Sequence, residues 1–314
     1  MWLCVFVFTP KYDYGCHPEP QSRERKKRRN LGESAAAFAR PLEALETRAR
    51  GHGIELTANA IKNGARTIIA VGGDGTINEV VNGFFEGERL ISNEATLGII
   101  PHGTGSDFRR ILNLPLDGKQ AAAVIHSGEP RKVDIMKVHY TRTDGSRAVR
   151  YSINITSFGM GGAVAARANR SSKPLGGQIA FLAATLQTAL TFSGNSVTLQ
   201  LDESKKIEAK ITNVAVGNGQ YHGAGMWVCP NASIDDGILD ITVIRYLSVP
   251  ELVWNLTALY NGRIYSHPKV ESYRATRVNA DSRETALIEI DGEPLGRLPI
   301  EISVLPKAIR VWMP

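Results

Sequence analysis

Cysteine, aromatic residues and long apolar runs are all scarce in this chain, and each scarcity excludes something. The three cysteines, Cys4, Cys16 and Cys229, are odd in number and scattered. They build no disulfide framework and suit a reducing compartment. Neither they nor the seven histidines fall into metal-ligand spacings, which sets a zinc site aside. No apolar run approaches the roughly 20 residues that cross a bilayer. The opening "MWLCVFVF" is short and has no basic residue ahead of it, so a buried first strand is expected there rather than a signal peptide. Aromatic residues make up 7%, and none interrupts the basic run "RERKKRR" from Arg23 to Arg29, so nothing favours single-stranded nucleic acid. Also missing are G-x-x-x-x-G-K-[ST] and G-x-G-x-x-G, which disfavours a P-loop NTPase and a dinucleotide-binding dehydrogenase.

What is present is an ordinary globular composition, 43% apolar and 22% charged, over 314 residues. That length favours two domains over one. The net charge of +6 and pI near 9.2 owe part of their size to the Arg23–Arg29 run. The run reads first as a solvated loop. As a surface patch it would meet anionic lipid, nucleic acid or an acidic substrate.

The first half alternates strand and helix patterns. Gly64 can supply the left-handed cap of a helix ending near it. "RTIIAV" follows as a buried strand, then a glycine turn, then a helix whose Ile77, Val80, Val81 and Phe84 share one face. "TLGII" (Thr96 to Ile100) is a second buried strand, leading through "PHGTGSDF" into another helix. Strand–turn–helix repeats of this kind imply parallel strands with crossover helices. The pattern changes near "HSGEPRKVD", after which alternating strands dominate, with Asp144-Gly145 as a hairpin signal. The expected architecture is an α/β domain with a parallel sheet at about 1–128, then a mostly antiparallel β domain at about 129–314.

The stretch "VGGDGTINEVVNG" (71–83) carries the first chemical signal. Three glycines within four residues clear side chains from the start of a helix, where backbone N–H groups and the helix dipole favour an anion. Thr76 can cap the helix or donate to a phosphate oxygen. A second turn, "PHGTGSDF", follows another strand about thirty residues on, and two such turns at neighbouring strand ends would line one crevice.

Four ordered blocks, "VGGDGTINEVVNGF", "GIIPHGTGSDFRRILNLP", "NVAVGNGQYHGAGMWVCPNASIDDGILDITVI" and "IEIDGEPLGRLP", resemble the diacylglycerol kinase catalytic-domain family, which includes bacterial soluble lipid kinases and the sphingosine and ceramide kinases. The resemblance runs from about Leu45 to the C-terminus. It implies an ATP-dependent lipid kinase, with ATP between an α/β nucleotide domain and a β-sandwich domain. Gly72, Gly73, Asp74, Gly75, Thr76, Ile77 and Asn78 would form the phosphate-binding loop, with Thr47 and Thr104 as further nucleotide contacts. Glu293, in "DGEPLG", matches the family's general base, which would take the proton of the lipid hydroxyl; without the resemblance, Asp291-Gly292-Glu293 is a hairpin turn. Asp236, with the carbonyls of Ser233 and Ile238, matches a structural Mg²⁺ site separate from the magnesium carried by ATP.

The implied acceptor is a lipid alcohol such as diacylglycerol, reached by a cytoplasmic enzyme in peripheral contact with an anionic membrane. No nucleic acid is expected, and a homodimer is left open. Two alternatives stand beside this: a soluble-substrate kinase of the NAD kinase type, and a nucleotide- or lipid-binding protein with little turnover. The sequence departs from the family in two places. Thr9-Pro10 and Gly15 stand where Asn-Pro and a glycine-rich turn are usual, and Ser106 replaces a favoured asparagine.

Overall fold

The structure, a computed structural model, describes residues 4–8, 43–102, 107–170 and 177–314. Thr9, Pro10, Gly15, Cys16, the Arg23–Arg29 run, Thr104 and Ser106 lie outside the described residues. The chain divides into two compact units. The first takes in Met1–Gly103, Leu112–Lys132 and Ile309–Pro314; the second takes in Thr104–Ile111 and Val133–Ala308.

In the first unit the elements are β1 (Cys4–Phe8), β2 (Glu43–Glu46), α1 (His52–Lys62), β3 (Thr67–Gly72), α2 (Asp74–Gly83), β4 (Thr96–Pro101) and α3 (Gly118–Ser127). β3 and β4 are apolar along almost their whole length and buried, as central strands covered on both faces must be. They pair in parallel from Thr67 opposite Thr96 to Gly72 opposite Pro101, with α2 as the crossover. Ile77, Val80, Val81 and Phe84 of the α2 segment are all buried against this core. At the far side of β4, Arg310 and Val311 near the end of the chain add a further parallel pairing to Thr96 and Leu97.

Gly64 does cap α1: at φ 91° it lets its own N–H reach Ile61 and the Ala65 N–H reach Ala60. β1 departs from the expected parallel sheet. It runs antiparallel to both β2 and β3, so the sheet is mixed. The rule that helix-linked strands run parallel governs the steps β2–α1–β3 and β3–α2–β4. It does not govern β1, which no described helix joins to its neighbours.

The second unit is built on antiparallel pairing. Its strands are β5 (Glu129–Arg142), β6 (Arg147–Ser152), β7 (Ile155–Gly159), β8 (Asn195–Leu201), β9 (Lys205–Gly217), β10 (Leu239–Arg245), β11 (Val270–Ala275), β12 (Arg277–Ser282), β13 (Leu287–Ile290) and β14 (Glu293–Met313). Between them lie α4 (Met160–Arg170), α5 (Gly177–Thr191) and α6 (Val249–Trp254). The order β11-β10-β9-β8-β12-β14 forms one path, while β7 joins β9 to β13. Asp144-Gly145 forms the β5–β6 turn, with the Asp144 carboxylate accepting from the Ser146 N–H and hydroxyl. The core gathers Phe158, Leu199, Ile211, Val214, Ile241 and Ile288, all fully buried. β9 carries a bulge between Ile211 and Asn213. There Gly159, at φ 102°, packs so closely on the Thr212 carbonyl that a Cβ would lie 2.8 Å from it. Such a bulge re-aims side chains, and Thr212 and Asn213 turn into the cavity described below.

Candidate active site

The glycine turn closes β3 and opens α2. Gly73 is the N-cap in an extended conformation and brings no capping side chain of its own, and among the described residues nothing lies within 4 Å of where its Cβ would be. Gly73, Asp74 and Gly75 are partly exposed, whereas Gly72, Thr76, Ile77 and Asn78 are buried. Ile77 is a core side chain, and its N–H already donates to the Gly73 carbonyl. The Thr76 hydroxyl is enclosed with no hydrogen-bond partner among the described residues, a donor suited to an acceptor entering the turn. Asn78 is fully buried and accepts from the Asn82 amide one helical turn on.

Glu79 ties α2 to α1. Its two carboxylate oxygens accept the Gly51 and Gly53 N–H groups, each at 2.9 Å, and so cap a helix whose own N-cap is a glycine. Thr47 is buried beside this link, its methyl 3.6 Å from where a Gly53 Cβ would stand. The end of β4 returns alongside the glycine turn, the His102 N–H donating to the Gly72 carbonyl at 3.0 Å.

In the second unit Asp291 and Gly292, at φ 48° and 83°, make the two-residue turn between β13 and β14, and Glu293 stands opposite Ile290 at its exit. The turn is braced. The Asp291 carboxylate accepts from the Ser152 hydroxyl at 2.6 Å and from the N–H groups of Ile153, Asn154 and Ile155 at 3.0–3.1 Å. Glu289 is fully buried and accepts from the Ser157 hydroxyl at 2.7 Å and the Gly292 N–H at 2.6 Å. Its Oε1 lies 3.4 Å from His222 Nδ1. Burial pushes the Glu289 carboxyl above its ordinary range, with His222 and the two donors pulling the other way. Glu293 itself is half-buried.

Glu289, Ser157 and His222 escape a sequence reading that stops at the DGE triplet. The one local signal is a charged Glu289 set between Ile288 and Ile290, on the opposite face of β13 from its two neighbours.

His222 is held by its own block. Asn218 donates to the carbonyls of Asp134 and Ile153, and Asn154 donates to the Tyr221 carbonyl. Gly223, Ala224 and Gly225 all have positive φ, and the buried Asp107 carboxylate accepts the Ala224 N–H at 2.8 Å.

The loop expected to hold a metal is rich in carboxylates. Asp236 accepts the Ile238 N–H at 3.0 Å with one oxygen and pairs with Arg274 through the other. Asp134 accepts the N–H groups of Gly237 and Lys307, each at 2.6 Å. Asp240 is fully buried, its carboxylate without a hydrogen bond among the described residues and 3.7 Å from Arg274 Nε. Burial raises the pKa of both Asp134 and Asp240, and Asp236 nearby raises them further. An oxygen-only, negatively charged loop suits a hard divalent cation. Arg274 holds one of the Asp236 oxygens such an ion would use, so the two compete for it. Among the described residues no set of three or more His, Cys, Asp or Glu side chains is arranged for a metal. The loop would have to rely on carbonyls.

A cavity of about 280 Å³ opens beside His222. Its walls are mainly apolar, among them Met160, Val164, Val228, Leu252, Leu259 and Ile264, with Thr212, Asn213, His222, Asn255 and His267 among the polar points. Cys229 lies buried nearby in the fold, its thiol pushed up to about 12 by burial, which leaves it unreactive.

Comparison with known proteins accounts for both halves of the chain. Residues 19–138 match the diacylglycerol kinase catalytic domain, and residues 154–313 match the YegS C-terminal NAD kinase beta sandwich-like domain. A protein of Stenotrophomonas maltophilia (strain K279a) named "Probable lipid kinase YegS-like" is 29% identical, covering 87% of this chain and 87% of its own. A diacylglycerol kinase of Staphylococcus carnosus (strain TM300) is likewise 29% identical, over 86% of this chain and 84% of its own. The crystal structure of a candidate diacylglycerol kinase from Bacillus anthracis str. Sterne superposes with a TM-score of 0.70 at 25% identity, covering 91% and 92% of the two chains. The chain belongs to the diacylglycerol kinase family of lipid kinases, with a C-terminal domain of the YegS type.

Proposed function

We infer that this kinase transfers the γ-phosphate of MgATP to the hydroxyl of a lipid alcohol, diacylglycerol or a close relative. The observation that carries the lipid acceptor is the cavity beside His222: apolar walls with a few polar points suit an alcohol on an apolar body and suit a dinucleotide poorly. In this reading Gly73, Asp74 and Gly75 present backbone to the phosphates. Thr76 supplies a hydroxyl, Ile77 and Asn78 fix the loop from the core side, and Thr47 and Thr104 complete the nucleotide contacts. Glu293 accepts the proton of the lipid hydroxyl as the new O–P bond forms and the bond from the γ-phosphorus to the β–γ bridging oxygen breaks, so that ADP leaves and the proton stays on the carboxylate. Asp291 and Glu289 brace the turn that carries it. Mg²⁺ bound by Asp236 and the carbonyls of Ser233 and Ile238 would order that loop, while the magnesium on ATP neutralises phosphate charge.

The test is transfer of labelled γ-phosphate from MgATP into a panel of lipid alcohols, with Glu293→Gln in parallel. Label in one lipid class, reduced by about 10²-fold or more in the variant, is expected for loss of a general base. No label in any lipid, with ATP binding intact, would leave a binding protein instead.

A further inference from the structure

Among the described residues seven large hydrophobic side chains are exposed, and five of them sit on the two segments that also wall the cavity. On one side Leu252, Asn255, Ala258 and Leu259 face inward, Trp254 is 87% exposed and Val253 56%, and Tyr260 both lines the cavity and is 50% exposed, which puts it at the rim. On the other, α5 contributes Thr185 to the wall and exposes Leu186 and Leu190. α5 carries no charged residue over its fifteen positions.

The Trp254 segment is built rather than loose. Ser248 and Glu251 form a capping box at the start of α6, and Lys269 grips the other Glu251 oxygen at 2.6 Å. These contacts, Lys269 first, pull the Glu251 carboxyl down to about 2. The Leu247 N–H donates to the Thr212 hydroxyl at the β9 bulge, and Gly262, at φ 73°, lies against the Trp227 ring. A firmly anchored segment that is apolar on both its inner and outer sides has no use for the outer side in water.

We propose that Val253, Trp254 and Tyr260 form a ridge that docks on the surface of a lipid bilayer and sets the mouth of the cavity at the level of the acyl chains. Trp and Tyr favour that interface because each is apolar with one polar end. Arg263, exposed next to the ridge and without an ion pair among the described residues, supplies charge matched to anionic headgroups. A second copy of the chain fits less well. Two aromatic side chains cover about 150–250 Å² each when buried, short of the roughly 800 Å² per partner of a stable dimer. The proposal rests on the lipid-kinase reading for its purpose, but docking needs no turnover.

The experiment uses the full chain with phosphatidylcholine vesicles, with and without phosphatidylglycerol, and no ATP. The wild type is expected to sediment with the vesicles, more strongly when phosphatidylglycerol is present. Its tryptophan emission should shift to the blue, a shift missing in Trp254→Phe. Val253→Ser/Trp254→Ala, which leaves the cavity wall intact, should weaken binding about ten-fold or more, while Leu116→Ser, exposed on the other unit, binds as wild type. The double variant should still phosphorylate a short-chain, monomeric diacylglycerol yet lose activity on vesicles. If the double variant binds vesicles as well as wild type, or the wild type ignores vesicles, or the ridge proves to be buried in a solution dimer, docking at this ridge is refuted. If no lipid is phosphorylated but the binding contrast persists, the kinase reading fails and the docking surface stands.

Discussion

Glu289 and Asp291 are two carboxylates two residues apart in opposite environments. Three N–H groups and a hydroxyl donate to the Asp291 carboxylate, whereas burial resists charge on Glu289. An acid whose folded pKa is raised binds its proton more tightly when folded. Its contribution to stability is therefore complete below the unfolded value and is lost as pH climbs through the folded one. Glu289→Gln, which keeps an acceptor for the Gly292 N–H, mimics the protonated form. Urea midpoints of variant and wild type should nearly coincide at about pH 4 and separate in favour of the variant towards about pH 8. Asp134 and Asp240 shift in the same direction, but both proteins contain them, so they cancel in the difference. Repeating the pair in a His222→Asn background removes the one imidazole that faces Glu289. A separation that shrinks as pH rises would contradict this assignment. None of this could be read from "IEIDGE" alone. The alternation places Glu289 on a polar face, and only the pairing of β13 with β7 and β14 on its two sides encloses it.

At the level of elements, two glycines of the same helix have opposite duties. Gly83 sits where α2 crosses α1, and a Cβ there would lie 2.4 Å from the Thr57 Cβ and 2.7 Å from the Ile54 carbonyl. Alanine gains about 1 kcal/mol in helix propensity over glycine. Overpacking against a neighbouring backbone costs about 1–3 kcal/mol and outweighs that gain. Gly83→Ala is expected to lower the melting temperature by several degrees. Gly73 is the reverse case, with open space around its Cβ position and φ −97°, which any residue adopts. Gly73→Ala should leave the stability of the apo protein within about 0.5 kcal/mol of wild type and still abolish most of the stabilisation by MgATP. Equal losses with and without MgATP would mean that Gly73 serves the fold alone. The strand–turn–helix rhythm around these glycines was legible from periodicity. The start of α1 was not, because Gly51 offers no capping side chain and the cap comes from Glu79, distant in sequence.

For the whole molecule, sequence gives the change of texture near residue 130 but not the return of the chain at its end. "AIRVWM" reads as a strand, and which strand it joins is a long-range choice that no local pattern specifies. Ile309, Val311 and Met313 are buried in the first unit, Arg310 and Val311 pair with β4, and the Met313 carbonyl packs on Gly128. Removing residues 309–314 strips three buried apolar side chains and bares the β4 edge at Thr96 and Leu97. Core truncations of this kind cost about 2–5 kcal/mol per large side chain, comparable with the whole stability of a domain. Hydrogen exchange on the truncated chain should therefore accelerate in β3, β4 and α2, with loss of stabilisation by MgATP. Amides of β8, β9 and β10, paired within the second unit, should keep their protection. Uniform acceleration would show the two units unfolding as one. Unchanged exchange in β3 and β4 would show that the terminal strand is dispensable to the sheet it extends.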